Sequence, residues 1–306
     1  VFVSDLKKID EETVKAFKAM EIDWEEEGNT EKVLACDEII LSSGVSQDIP
    51  ILALAASQKI PVTGELDFVY PYMTGKIIAV TGSNGKTTTA SMTGFLLERA
   101  GAVSMTGGNI GNPAANAAYE KNDFLVLELS SFQLNRINKF KCDIAVVTNL
   151  APDHIDWHGS YEKYVEAKAN VIRSLAPNGR AIYQERDSKA LDVPEGVGYP
   201  LSWGEPDDSR KGIYLDRKST AAFICVNEGE KPIRLFGFDA VKLLGSHNIE
   251  NAAMATAALL LLGHGPADPT VISEYEPPKH RCAFAGAIKG ITFVDDSKGT
   301  NVAATE

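Results

Sequence analysis

Apolar and polar positions fall along the chain in blocks that read alternately as strands and helices. The opening VFV reads as a strand, followed by a helix in which Val14, Phe17 and Met20 recur at helical spacing. The strand EIIL, the helix ILALAASQ and the strand PVT complete a first block, placed at residues 1–73. After the turn-like PYMTG, the strand KIIAVTG runs straight into SNGK and a helix whose stripe is Met92, Phe95, Leu96 and Ala100, with Gly101 where a C-terminal glycine cap belongs. FLVLEL and IAVVTN are almost wholly apolar, as strands are when helices cover both faces of their sheet. From about Asn178 to Asp239 come scattered strands and turns, and a helix over Asn248 to Leu262 closes a second block at residues 74–277. Beyond the Pro277-Pro278 break, residues 278–306 read as the start of a third. Strands alternating with helices predict a layered α/β fold with a mostly parallel sheet.

Composition narrows the class. A length of 306 residues suggests about two domains, and 44% apolar with 24% charged residues excludes disorder and fibres. The longest apolar run, near Ala252 to Leu262, is shorter than the roughly 18 residues of a membrane span, and no signal-peptide pattern opens the chain. Cys36, Cys142, Cys225 and Cys282 form no CxxC motif and read as buried free thiols of a reducing, cytoplasmic compartment. A net charge of −12 argues against nucleic-acid or anionic-membrane partners and confines anion binding to local sites. Ten acidic residues against five lysines in the first 32 positions read as the solvated face of a surface helix. The opening VFVSD, without an initiator Met, reads as a strand already under way and so as part of a fragment.

The strongest chemical signal is Thr81 to Thr88, TGSNGKTT, between an apolar strand and a helix. Glycines at Gly82 and Gly85 let backbone N–H groups turn towards an anion. The helix N-terminus adds partial positive charge, Lys86 can reach outer phosphates, and the Thr87 hydroxyl can ligate Mg²⁺. Val80 stands where the general G-x-x-x-x-G-K-[ST] pattern wants glycine, so this is a shortened variant.

Other polar groups end the neighbouring strands, where open α/β sheets bind ligands. Glu128 is either a Mg²⁺ ligand or a paired structural carboxylate; Asn149 ends the next strand, and Asp153-His154 follow it. His154 reads as a ligand or positioning group. Lys168 lies among Tyr161, Tyr164, Val165, Val171, Ile172 and Leu175 on one helix face, so it must be paired, snorkel or change its charge. Asn248 and Asn251 share a face and could bond a base or cap backbone. His280-Arg281 and Asp296-Ser297-Lys298 are polar groups between the second and third blocks.

Together these motifs resemble the ATP-dependent Mur ligases of bacterial cell-wall synthesis across nearly the whole chain. TGSNGKTTT resembles their phosphate loop, GGNIGNP the turn that follows, and NLAPDHIDWHGSYEKYVEAK their histidine and lysine segment. GSHNIENAAMA is similar to their adenine-side helix, and DDSKGTN to the entry to their third domain. LELSSFQL resembles the segment peculiar to the D-glutamate-adding branch, and the first block resembles a UDP-binding domain, with Ser43 where proline is usual.

The resemblance implies an incomplete Rossmann-like N-terminal domain, a central P-loop-type ATPase domain and the beginning of a C-terminal Rossmann-like domain. It implies ATP with two Mg²⁺ sites as cofactors, and UDP-N-acetylmuramoyl-L-alanine and D-glutamate as substrates of a monomeric enzyme. Asn84, Gly85, Lys86, Thr87 and Thr88 would hold the phosphates. Thr87 and Glu128 would hold one Mg²⁺, and His154 with a carbamylated Lys168 the other. Asn109, Ser130 and Gln133 would face the muramoyl-alanine end, and Ser42 to Gly44 the UDP end. Asn248, Asn251, Arg281, Asp296 and Lys298 would surround the nucleotide, with Thr300 near D-glutamate. The segment after His280-Arg281, KHRCAFAGAIKG, departs from the family pattern. The implied reaction passes through an acyl phosphate, and a fragment without most of the third domain would not complete it. The alternatives are another amide ligase of this superfamily, including its folate branch, or a nucleotide-binding module without ligase activity.

Overall fold

The structure, a computed structural model, describes residues 1–306 apart from 47, 110, 266–267, 279–282, 296 and 298–306. The expectations at His280, Arg281, Cys282, Asp296, Lys298 and Thr300 lie outside the described residues. The chain forms two compact units, Val1–Phe68 and Val69–Glu306.

In the first unit, β1 (Phe2–Ser4) pairs in parallel with β2 (Asp23–Glu25) across α1 (Glu11–Ala19). The Asp10 side chain caps α1 by accepting from the Thr13 N–H at 2.9 Å, and Glu11 and Glu12 in the first turn with Lys18 in the last complement the helix dipole. Val14 and Phe17 are only half-buried, with the Phe17 ring 6.1 Å from that of Trp24. Met20 is exposed, because it lies at the C-cap, where the chain leaves the face that Phe17 occupies. β3 (Ile39–Leu41) and β4 (Val62–Gly64) form a second parallel pair linked through α2 (Pro50–Ser57), and α3 (Glu65–Val69) follows. Cys36 is exposed, contrary to the expectation of a buried thiol, since it stands in a turn between elements; Cys142 and Cys225 are buried and free.

The second unit is built on a nine-stranded sheet. Its strands are β5 (Lys76–Thr81), β6 (Ser104–Gly108), β7 (Phe124–Glu128), β8 (Cys142–Val147), β9 (Leu175–Gln184), β10 (Gly198–Trp203), β11 (Gly212–Asp216), β12 (Ala221–Cys225) and β13 (Ile233–Gly237). They lie in the order β13-β12-β11-β10-β9-β8-β5-β7-β6. All pairs from β6 to β11 are parallel, and β12 and β13 add an antiparallel edge. The helices are α4 (Lys86–Arg99), α5 (Ser131–Leu134), α6 (Ile155–His158), α7 (Tyr161–Arg173), α8 (Ser188–Leu191) and α9 (Ser246–Leu261). A hairpin of β14 (Ala283–Ile288) and β15 (Ile291–Asp295) follows.

Strand alternation sorts the core into two layers. Ile78, Val80, Val126, Ile144 and Val146 pack with Met92, Leu96, Ala253 and Met254 of α4 and α9. Their sequence neighbours Ile77, Ala79, Leu127, Ala145 and Val147 are equally buried and point to the other face, where α7 contacts β5, β8 and β9. This two-sided burial is why these strands carry almost no polar residue until their ends. On α4, Met92 and Leu96 are buried, but Ala100 is exposed: it is the C-cap, one residue before Gly101 turns the chain at φ +80°.

Candidate functional site

The carboxyl ends of β5, β7 and β8 meet in one place because the three strands are adjacent and parallel, with Val80 in register with Glu128 and with Val146. From β5 the chain turns through Gly82 (φ +140°) and Gly85 (φ +80°) before Lys86 opens α4. Both glycines are required by space as well as by backbone conformation. A Cβ on Gly82 would run into the Thr148 hydroxyl, and one on Gly85 into the Asn251 side-chain amide.

The segment after β8, α7 and α9 fasten the loop and the start of α4. Asn149, just past β8, accepts from Asn84 N–H at 3.0 Å and donates to Asn84 carbonyl at 2.9 Å. Ser83 Oγ accepts from Ala151 N–H at 2.9 Å and is 2.8 Å from both the Ala151 carbonyl and the Tyr164 hydroxyl. Asn251, on α9, accepts from Thr89 Oγ1 at 3.2 Å and donates to Asn248 Oδ1 at 3.2 Å, while Asn248 donates to the Leu244 carbonyl at 2.7 Å. Asn248 thus bonds neighbouring backbone, and Asn251 is tied to α4 with its side chain against Gly85. Lys86 curls back over the loop, its Nζ 3.0 Å from the Gly82 carbonyl and 2.8 Å from that of Ser83. Thr87 and Thr88 are buried at the start of α4.

Lys168 does not snorkel. It is 2% exposed, and its Nζ donates to the Gly82 carbonyl at 2.7 Å and to Thr81 Oγ1 at 3.3 Å. Burial, with the nearby positive charge of Lys86, pushes its pKa well below the ordinary lysine value, against the opposing pull of Asp153 and Glu128. Glu128, also 2% exposed, takes one weak hydrogen bond on Oε1, from Asn109 Nδ2 at 3.4 Å; its Oε2 is buried without a hydrogen-bond partner. A carboxylate oxygen kept from water with no donor is costly, and a hard cation is the group that would satisfy it. Among the described residues no three His, Cys, Asp or Glu side chains converge as a metal site, so protein groups alone would supply few ligands there.

His154 is half exposed and adopts the left-handed conformation (φ +50°) at the N-terminus of α6, with its Nε2 3.7 Å from Asp153 Oδ2. A non-glycine residue in that region stores strain. Ser130 and Gln133 form a capping box at α5: Ser130 Oγ accepts from Gln133 N–H at 3.2 Å, and Gln133 Oε1 accepts from Ser130 N–H at 3.0 Å. Ser42 and Gly44 belong to the other compact unit.

Two contributors, the Tyr164 hydroxyl and His158, are not foreseen in the sequence, and Asn149 is foreseen only as a polar strand end. Asn149 and the Tyr164 hydroxyl act through loop contacts. His158, 7% exposed, has Nε2 2.9 Å from Ser131 Oγ and its ring parallel to that of Phe132 at 5.7 Å. Burial lowers its pKa below the ordinary histidine value. The i, i+4 spacing from His154 was the signal available for it.

Against known proteins, residues 80–259 match the model of the Mur ligase middle domain, and residues 1–51 that of the MurD N-terminal domain. A UDP-N-acetylmuramoylalanine–D-glutamate ligase of Koribacter versatilis is 34% identical over 273 residues, covering 88% of this chain and 59% of the relative. That of Alkaliphilus metalliredigens is 32% identical over 314 residues, covering 100% of this chain and 68% of the relative. The chain thus spans about three fifths to two thirds of these relatives' length. Two solved structures share the fold. They are a UDP-N-acetylmuramate:L-alanyl-gamma-D-glutamyl-meso-diaminopimelate ligase from Neisseria meningitides (TM-score 0.58, 17% identity, 90% of this chain and 91% of that one) and MurF from Thermotoga maritima in complex with ADP (TM-score 0.54, 19% identity, 86% and 69%). No described helix is long and apolar enough to cross a membrane.

Proposed function

The chain belongs to the Mur ligase family, and from that premise we propose that it serves an ATP-dependent ligase joining D-glutamate to UDP-N-acetylmuramoyl-L-alanine in peptidoglycan precursor synthesis. The observation that carries this reading is that a braced phosphate-type loop and the unpaired Glu128 oxygen meet at the ends of adjacent strands, with the buried Lys168 amine of α7 bonded to the loop. The D-glutamate assignment draws on the relatives' activity and on the Leu127–Leu134 segment.

In this reading the N–H groups of the loop and the start of α4 take the ATP phosphates, and Lys86 leaves the carbonyls of Gly82 and Ser83 to reach the outer ones. Asn248 and Asn251 face the nucleotide, bonded to one another, with Asn251 also tied to Thr89 of α4. Arg281, Asp296 and Lys298, assigned to the nucleotide, and Thr300, assigned to D-glutamate, rest on the family resemblance alone, since they lie outside the described residues. Asn109, Ser130 and Gln133 orient the muramoyl-alanine carboxylate; Ser42 and Gly44, in the first unit, keep the UDP assignment that the family resemblance gives them. That carboxylate accepts the γ-phosphoryl group, and the D-glutamate amine then attacks the acyl phosphate. Thr87 and Glu128 would hold one Mg²⁺, and His154 with Lys168 the second; bound there, the ions would offset negative charge as the phosphoryl group moves.

Lys168 enters the second site as a carbamate. Only a neutral amine reacts with carbon dioxide, and burial shifts this one towards its neutral form. A carbamate nitrogen retains one N–H, so the bond to Gly82 carbonyl can survive the modification while a carboxylate extends beyond it.

Calorimetry tests the assignment by comparing UDP-N-acetylmuramoyl-L-alanine with UDP-N-acetylmuramate in the presence of a non-hydrolysable ATP analogue and Mg²⁺. Preferential binding of the alanyl substrate is expected. Equal affinity, or preference for the substrate without alanine, would move the chain to another branch of the family.

A further inference from the structure

His158 is a buried histidine to which the proposed chemistry gives no task. It belongs to α6, between the turn that opens α5 and the helix that carries Lys168, and it touches both. Its Nε2 is 2.9 Å from the Oγ of Ser131, the first residue of α5. Its ring is parallel to Phe132 (5.7 Å, 4°) and edge-on to Tyr164 (5.4 Å, 75°). Tyr164 is almost wholly buried on α7, one turn before Lys168, and its hydroxyl lies 2.8 Å from Ser83 Oγ in the phosphate-type loop. Ser131, His158, Tyr164 and Ser83 are therefore a continuous run of contacts from one side of the site to the other.

The residues on the α5 side of this run are already rigid with respect to one another. Ser130 and Gln133 satisfy each other's groups in the capping box, so the first turn of α5 moves as a unit. Its backbone approach is set by Leu129 N–H on the Val80 carbonyl (2.8 Å), and its far end by Asn170 Nδ2 on the Leu134 carbonyl (3.1 Å). Neither bond fixes how the first turn is rotated towards Lys168. The bond from His158 to Ser131 does, because it acts on the first turn itself and a hydrogen bond has direction where ring packing has little. A phenylalanine would fill the same space at lower desolvation cost; an imidazole is retained where its ring nitrogen has a bond to make.

We propose that His158 is a positioning residue, which through Ser131 holds the Ser130–Gln133 turn in register with the Lys168 helix and so orients the carboxylate-bearing substrate. This rests on the reading of Ser130 and Gln133 as facing that substrate. His158 touches no reacting atom in this scheme.

The test compares the parent chain with His158→Phe, His158→Gln, Ser131→Ala and the double variant Ser131→Ala/His158→Phe. Calorimetry gives Kd for UDP-N-acetylmuramoyl-L-alanine and, separately, for Mg²⁺-ADP, and a thermal melt follows each protein. His158→Phe keeps the packing and loses the bond; it should weaken substrate binding roughly three- to tenfold, with ADP affinity within about twofold of the parent. His158→Gln, which can still reach Ser131, should recover most of the loss. Ser131→Ala should match His158→Phe, and the double variant should be no worse than either single one. Unchanged substrate affinity in His158→Phe, additive losses in the double variant, or equal losses for ADP and substrate would each overturn the proposal. A parent chain that binds ADP but not the muramoyl substrate would instead refute the functional reading, and this inference with it.

Discussion

Lys168 Nζ donates to the main-chain carbonyl of Gly82 at 2.7 Å, so the amine proposed to carry a carbamate is bonded to the loop proposed to carry the phosphates. Carbamylation and nucleotide binding should therefore be felt by each other. NMR of the chain in ¹³C-bicarbonate should show a carbamate resonance that strengthens with Mg²⁺-ADP and is missing from Lys168→Ala. Lys168→Ala should keep nucleotide binding and lose phosphoryl transfer in the complete ligase. A parent spectrum identical to that of Lys168→Ala would remove Lys168 from the metal site.

Lys86→Ala tests the phosphate loop directly. Removing a charge-assisted contact to phosphate costs about 1.5–3 kcal/mol of binding, which nucleotide titration would read as a loss of at least tenfold. Retained affinity would mean that Lys86 stays on the Gly82 and Ser83 carbonyls when nucleotide binds.

Glu128→Gln separates metal binding from folding. Without metal, a buried carboxylate oxygen with no donor is a burden, so the neutral amide should raise stability by about 1–2 kcal/mol in urea unfolding. The extra nucleotide affinity conferred by Mg²⁺ should vanish in the same variant. A variant less stable than the parent, with its Mg²⁺ dependence intact, would make Glu128 a structural carboxylate.

Tyr164→Phe deletes the hydroxyl beside Ser83 and nothing else. A buried hydrogen bond of this kind contributes about 1 kcal/mol, and because the loop is its partner, stability and nucleotide affinity should fall together. Loss of stability alone, measured by parallel unfolding and titration, would show that Ser83 holds its position through Ala151 by itself.

The depressed pKa of His158 gives stability a pH dependence of known sign. In the unfolded chain this histidine binds its proton near 6.5, whereas in the fold it does so only at lower pH. Its contribution is therefore complete above about pH 6.5 and is lost as the pH falls through the folded value. Urea unfolding of the parent and His158→Phe from about pH 7.5 to about pH 5 should show the parent losing more stability on acidification. Parallel profiles would contradict the shift.

Local sequence was most readable where a position has one physical solution. Gly82 and Gly85 must be glycine because of both their φ and the groups pressed against them, so the loop could be seen in eight residues. Lys168 could be placed on a buried face from spacing alone. Whether it would snorkel could not, because its bonding partners come from β5 and its fate depends on Lys86, more than 80 residues away. His158 was hidden for the same reason, with Ser131 lying 27 residues earlier. Met20 and Ala100 misled because helical periodicity continues on paper past the residue where the helix ends. The sheet order, with β5 between β7 and β8, is set by pairing between near-identical apolar strands, which no single segment encodes.

The bond between Thr89 and Asn251 joins residues 162 positions apart. A ribosome delivering this chain would expose α4 long before α9, so this bond is among the last that the second unit can form, after Asn149, Ala151 and Tyr164 have reached the loop. Only after α9 has emerged can it dock on α4 and bring the Asn251 side chain against Gly85. If the loop takes nucleotide as proposed, that ligand would favour the finished second unit and draw late intermediates towards it by mass action.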